Sequence, residues 1–305
     1  MKSFKFQCIA FFLLLPFTVL SQLNIDYYIQ KGREQLYHYR YSEAIKTFNT
    51  VLEYRPHHPT AYFLRGTAKY NLQDYYGAER DYSQAIESKN NAVEAYYYRA
   101  MSRIQLYNFP GAIEDFNTTL KFVTGQPELF VQRGFCKLRL ENYREAIEDF
   151  NKALEKNKKN KRAYYYRAIS ELNLDDTTAT LQDLSMAIQI DSAFTNAYVT
   201  RGRIYHQQEE YSRALEDFDR ALHFESDNSQ ALIHRSLTHY QLNQYQNALE
   251  DLDRVIKIEP ANALAYYNRA LLKTEIGAYD DAIEDYDQVL QYNPQNILTY
   301  FNRGL

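Results

Sequence analysis

Arginine recurs in this chain at an interval that suits an ion pair. Arg65, Arg99, Arg133, Arg167, Arg201, Arg235 and Arg269 lie 34 residues apart. Sixteen residues after each stands an aspartate: Asp81, Asp115, Asp149, Asp183, Asp217, Asp251 and Asp285. Where the series should start, Lys31 and Thr47 occupy the two places, so both partners are lost together. Residues that come and go as a pair are expected to touch. A guanidinium grips a carboxylate through two parallel hydrogen bonds, which a lysine ammonium cannot copy. The expectation is a ladder of structural Arg–Asp rungs; the alternative is a row of charges for an acidic or basic ligand.

Other chemistry is absent from the sequence. It contains no GxSxG, HExxH or CxxC motif and no glycine-rich phosphate loop. Of seven histidines, His57 and His58 form a turn dipeptide with no cysteine or carboxylate cluster beside it. His234 and His239 are five residues apart, off one face of a helix. No catalytic residue, cofactor or metal is expected. Cys136 falls at the same helical position as small residues such as Ala68 and reads as a buried packing residue. The run KNKKNKR, Lys156 to Arg162, reads as a solvated turn, with phosphate-bearing lipid or an acidic partner as the alternative contact. The net charge of −4 argues against a chain built to bind nucleic acid.

The rungs need elements to carry them, and the chain supplies the same one repeatedly. A period of about 34 residues starts units near Ile25, Pro59, Val93, Pro127, Lys161, Thr195, Ser229 and Ala263, without an insertion. Each unit reads as two short amphipathic helices that cannot bury their apolar stripes alone. The first helix opens on a large residue (Tyr62, Tyr96, Phe130), and four residues later the residue is small (Gly66, Ala100, Gly134). The second helix answers with Ala78, Ala112 and Ala146, then Tyr82, Phe116 and Phe150 one turn later. A small residue at such a point lets two helices approach closely. Pro56, Pro260 and Pro294 end their helices.

This pattern resembles the tetratricopeptide repeat across nearly all of the chain beyond its leader. The departures are the lack of tryptophan and Thr180 in place of the crossing alanine. The resemblance implies an all-α fold, an α-solenoid in which tandem helix-turn-helix units form a right-handed superhelix. Its concave groove would be lined by the first helices and used to bind peptides or protein segments. The carboxylate-clamp pattern of chaperone-binding members is not visible. Residues projecting from the first helices, away from the small crossing residue, are expected to line the groove. They are Ile29, Tyr37, Phe63, Tyr70, Tyr97, Met101, Ile104, Val131, Phe135, Leu138, Tyr165, Ile169, Ile233, Leu237, Tyr240, Tyr267 and Leu271. Polar Arg139, Arg203 and His206 interrupt the row and could hydrogen-bond a peptide backbone. The competing expectation is that many of these side chains only pack against the neighbouring repeat.

Residues 1–21 read as a signal peptide: Lys2 and Lys5, an apolar run from Cys8 to Leu20, then Ser21 before Gln22. The run is too short to span a bilayer comfortably. The Ser-Gln junction resembles leaders common in Bacteroidetes. Cleavage would leave Cys136 alone, with no intrachain disulfide and no integral membrane segment. The expected location is exported: periplasmic, outer-membrane-associated or secreted. Eight repeats then fill residues 25–296, and 297–305 is the first helix of an incomplete ninth. Solenoids normally end in a polar cap, so a longer protein, or a cover over this end, is expected. The fifth repeat is the expected soft point, because β-branched Thr177, Thr178 and Thr180 weaken its second helix. The expected function is a non-enzymatic scaffold for a protein or peptide. The alternatives are the recognition arm of a longer enzyme or anchoring protein, and a self-assembly module.

Overall fold

A computed structural model describes residues 24–88 and 92–304; the leader and Leu305 lie outside the described residues. Contacts divide the chain into two compact bodies, one ending at Leu106 and the other beginning at Tyr107. The first holds α1 (Ile25–Tyr37), α2 (Tyr41–Tyr54), α3 (Pro59–Asn71), α4 (Tyr75–Glu87) and α5 (Val93–Gln105). The second begins with α6 (Phe109–Phe122), α7 (Pro127–Arg139), α8 (Tyr143–Lys156), α9 (Lys161–Leu172), α10 (Thr177–Ile190) and α11 (Thr195–Gln207). It continues with α12 (Tyr211–Phe224), α13 (Ser229–Gln241), α14 (Tyr245–Ile258), α15 (Ala263–Glu275), α16 (Tyr279–Tyr292) and α17 (Ile297–Gly304). Among the described residues there are no strands.

Local chemistry starts and stops these helices. Asn24, Asp74, Asn108, Asn160, Asp176, Asn228 and Asn262 each accept a backbone N–H from the first turn of the helix they precede. Between the two helices of a repeat one residue turns left-handed: Tyr39, Gln73, Tyr107, Glu141, Asp175, Glu209 and Asn243, with φ from 58 to 63°, and Gly277 at 80°. The next residue then donates back across the turn, as Asn142 N–H does to Lys137 O and Asp176 N–H to Glu171 O.

Within each body the helices pack as stacked hairpins, the arrangement of an α-solenoid. α3 packs on α4, and α7 on α8; each second helix then packs on the next first helix, as α4 does on α5 and α8 on α9. First helices also touch one another, α3 with α5, α7 with α9 and α11 with α13. The hairpin core is an aromatic or leucine set over a small residue. Phe48, Tyr82, Phe150, Leu184 and Phe218 are all wholly buried. A Cβ added to Gly134 would lie 2.7 Å from Phe150 Cε1, so these backbones are closer than alanine allows.

Six rungs of the ladder lie within one body. In each, Arg Nε and Nη2 donate to the two oxygens of the aspartate at 2.5 to 2.9 Å. Arg99 and Asp115 belong to different bodies. The remaining nitrogen reaches sixteen residues back, to the second helix of the preceding repeat. Arg65 meets Asn49 at 2.7 Å, Arg167 meets Asn151 at 2.6 Å, and Arg269 meets Asp253 at 2.6 Å. Each guanidinium therefore ties three helices. The aspartates of these rungs are no more than 6% exposed, so they are structural rather than a ligand row.

Candidate binding face

In the first body α3 and α5 carry a cluster of aromatic side chains. Phe63 lies 5.7 Å from both Tyr82 and Tyr98, Tyr97 lies 5.2 Å from Tyr98, and Tyr70 lies 5.4 Å from Tyr75. The Tyr70 hydroxyl is pushed up from its usual pKa, first by burial and then by Tyr75, Tyr97 and Tyr98. Phe63 also borders a cleft of about 440 Å³ with Arg33, Thr60, Leu64 and Glu94. Met101 and Ile104 are half-buried on α5. Ile29 is instead part of the core around Phe48, and Tyr37 stands out in solvent at 78% exposure beside His38.

In the second body Phe135 meets Phe109 at 6.4 Å and Tyr166 at 5.2 Å, and the Arg139 guanidinium sits 5.4 Å over Phe109. Tyr165 stands between Tyr166 and Phe194, at 5.6 and 5.3 Å. Leu138 and Ile169 are half-buried. Leu237, Tyr240 and Leu271 come together around an open cavity of about 290 Å³ that Asn268, Thr274, Glu275 and Asn302 also line. Tyr267 packs 6.2 Å from Tyr286 and accepts a hydrogen bond from Asn302 Nδ2 at 3.0 Å.

Val131 and Ile233 offer no face to a ligand. They are 0% and 2% exposed and pack inside the hairpin cores, Val131 with Leu154 and Ile233 with Leu252. They are the fifth residues of α7 and α13, a position that holds the larger, half-buried Phe63, Tyr97 and Tyr165 in α3, α5 and α9. The residue after such a position is what sequence reasoning missed. Tyr98, Tyr166, Thr200, His234 and Asn268 each follow the fifth residue of a first helix. A polar or phenolic side chain next to an apolar one was the available signal.

The polar part of this face centres on α11 and α13. Arg203 is exposed, and among the described residues it makes no ion pair. His206 Nδ1 lies 2.9 Å from Thr238 Oγ1, and Thr238 donates to the carbonyl of His234 at 2.8 Å. The His234 ring stacks on Phe218 at 6.0 Å. Burial, then Arg203 and His206, push His234 down to about 4, and burial lowers His206.

Cys136 is buried, and burial pushes its thiol up to about 12. In the basic run, Lys161 pairs with Asp191 and Arg162 with Glu128. Among the described residues no group of three or more His, Cys, Asp or Glu side chains could hold a metal ion, and no helix is long and apolar enough to cross a membrane.

Models described as tetratricopeptide repeat match residues 29–78, 63–127, 127–160, 195–228 and 263–296, and one described as TPR repeat matches 237–273. No curated protein matches the sequence. Among solved structures, YrrB, described as a TPR protein with an unusual peptide-binding site, is similar at 16% identity and a TM-score of 0.52, over 62% of this chain and 98% of that one. Yeast Tom70 is similar at 18% identity and 0.58, over 92% of this chain and 62% of that one. A chain of the APC/C hetero-tetramer Cut9-Hcn1 gives 12% identity and 0.63, over 94% and 56%. At these identities the likeness is one of fold.

Proposed function

The chain belongs to the tetratricopeptide-repeat family, and on that footing we propose that it is a non-catalytic scaffold holding a protein or peptide segment against its first helices, in the cell envelope or outside the cell. The observation that carries this reading is the division of labour between side chains. The arginines and aspartates that recur from repeat to repeat are consumed by the rungs in the six repeats where these are described, whereas the aromatic and polar residues that vary line the first helices. Variation on an aromatic, partly polar face suits recognition: rings supply contact area and neighbouring donors set register. The face is already formed, so little ordering cost would attend binding. The solved YrrB, with its peptide-binding site, is a precedent for the fold in this use. Export rests on the leader alone, with its basic start, apolar run and Ser21 junction.

Crosslinking pull-down from an envelope extract tests the binding reading. Phe135→Ser and Tyr97→Ser should each lose a partner that Lys152→Ser, on the second helix of the fourth repeat, retains. Identical capture by all three would overturn it. Amino-terminal sequencing of the mature protein tests export: Gln22 is the expected first residue, and an intact Met1 overturns cleavage.

A further inference from the structure

The inner face of α11 and α13 is laid out as two rows. Arg203 and His206 are one turn apart on α11, and His234 and Thr238 are one turn apart on α13. The His206–Thr238 contact at 2.9 Å fastens one row to the other. The protons in this contact can be assigned. Thr238 has one hydroxyl proton, and the His234 carbonyl, which can only accept, lies 2.8 Å away. If that proton went to His206 instead, two acceptors would face each other at 2.8 Å. Thr238 therefore accepts from Nδ1–H of His206, and Nε2 of the neutral ring carries a bare lone pair.

The groups around this pair are Arg203 on the same helix, Tyr165 from α9, Tyr211 from α12 at 5.6 Å, and His234 from α13. No carboxylate is among the groups whose charge acts on either histidine. Elsewhere in this body the first-helix arginines of the rungs each hold an aspartate, but Arg203 has none. The chain is acidic overall, at −4, yet here Arg203 stands one turn from His206 on α11 and close enough to His234 to lower its pKa.

We propose that this patch is a proton-linked carboxylate subsite, receiving an acidic side chain of the segment held on the first helices. The Arg203 guanidinium pairs with the carboxylate. Its arrival favours an imidazolium over an imidazole, so Nε2 of His206 takes up one proton from hydronium or buffer acid in the solution and becomes a second donor to the same group. No other bond forms or breaks. Capture is thus tighter in mildly acid solution than in neutral solution. The inference rests on the first helices being the binding face.

The test uses the full chain and two fluorescein-labelled peptides, Leu-Glu-Leu-Glu-Leu-Glu and Leu-Gln-Leu-Gln-Leu-Gln, followed by anisotropy from pH 7.5 to 5.5. Glutamate with its usual pKa of about 4.3 stays largely ionised over this range. The Glu peptide should tighten roughly fivefold to tenfold on acidification, as expected for one linked proton, while the Gln peptide should not change. Arg203→Gln, at an exposed position, should weaken the Glu peptide about tenfold at pH 5.5, and His206→Gln should abolish the pH dependence. Each estimate is that of a single charge-assisted contact. Equal affinity for both peptides, or no binding of the Glu peptide at pH 5.5, overturns the subsite. Weakening on acidification also overturns it, since Nε2 would then be serving as an acceptor for an amide. The crosslinking at Phe135 and Tyr97 separately decides the reading on which the subsite depends.

Discussion

The fourth and fifth repeats share one architecture and differ in the charge beside the rung. In the fourth, Asp149 is wholly buried and takes two bonds from Arg133 and a third contact from Lys137 Nζ at 2.8 Å. In the fifth, Asp183 takes two bonds from Arg167, but the residue one turn after that arginine is Glu171. Glu171 lies 3.7 Å from Arg167 Nε, and its Oε2 is buried without a hydrogen-bond partner. Burial first, and then Asp183, push its pKa up to about 7. Two cations serve one carboxylate in the fourth repeat, and one cation serves two carboxylates in the fifth. The same scaffold thus sets a cation beside the rung in the fourth repeat and, in the fifth, a carboxylate whose pKa is pushed up to about 7.

The largest difference should come from cutting the rungs. Asp149→Ala leaves Arg133 and Lys137 without their carboxylate in a dry interface, and should cost about 3–5 kcal/mol. Asp183→Ala should cost clearly less, because Arg167 keeps Glu171 as a counter-charge. Urea unfolding of the full chain, followed by hydrogen exchange within each repeat, reads both. Equal losses would erase the contrast. The small crossing residue gives the next effect. Gly134 faces Phe150 in the fourth repeat, and Ala168 faces Leu184 in the fifth. Gly134→Ala should cost about 1–3 kcal/mol from crowding, despite a helix-propensity gain of about 1 kcal/mol. Adding Phe150→Leu should recover part of the loss by copying the fifth repeat's pairing. A double variant as unstable as the single one would show that the two residues do not trade volume.

Glu171 sets the third. Its folded pKa is raised from 4.5 to about 7, so between those values the folded chain holds a proton that the unfolded chain has released. Stability therefore falls as pH rises through that window, and the cost is full above about pH 7. Glu171→Gln should raise stability by about 1 kcal/mol at pH 8, a figure discounted for partial solvent access, and by nothing measurable at pH 4. A gain that does not depend on pH would assign the effect to packing.

The rungs were legible because their absence is correlated: Lys31 and Thr47 replace both partners at once. The hairpin was legible because a small residue and an aromatic recur at fixed spacing. The third arm of each arginine was hidden, although it obeys the same sixteen-residue step, because its partner varies among Asn49, Ser185 and Asp219. The inner face was half legible. Adjacent residues on a helix point about 100° apart, and at the same fifth position the shorter Ile233 is covered while Tyr97 and Tyr165 stay half-buried. Spacing alone does not state how much of each side chain its neighbours cover. Glu171 was overlooked for a related reason: it is one acidic residue at a place where Lys69, Lys137 and Lys273 each hold the rung aspartate.

The expectation of a soft fifth repeat remains a prediction, for which the structure offers a second cause. The sequence pointed to its threonines. Thr180, however, is wholly buried and satisfied, donating to Asp176 O at 2.8 Å, with Ala168 O at 3.3 Å, and Asp176 caps the helix by accepting from Ala179 N–H. A β-branched residue held in this way costs little, whereas a buried carboxylate beside another carboxylate costs more each time its proton leaves. Amide exchange separates the two. At pH 8, α9 and α10 should exchange about fivefold to tenfold faster than α7 and α8, equivalent to about 1 kcal/mol of local opening. After correction for intrinsic rates the difference should shrink at pH 5 and vanish in Glu171→Gln. If it persists in that variant and disappears in Thr180→Ala, the threonines are the cause and the carboxylate pair is not.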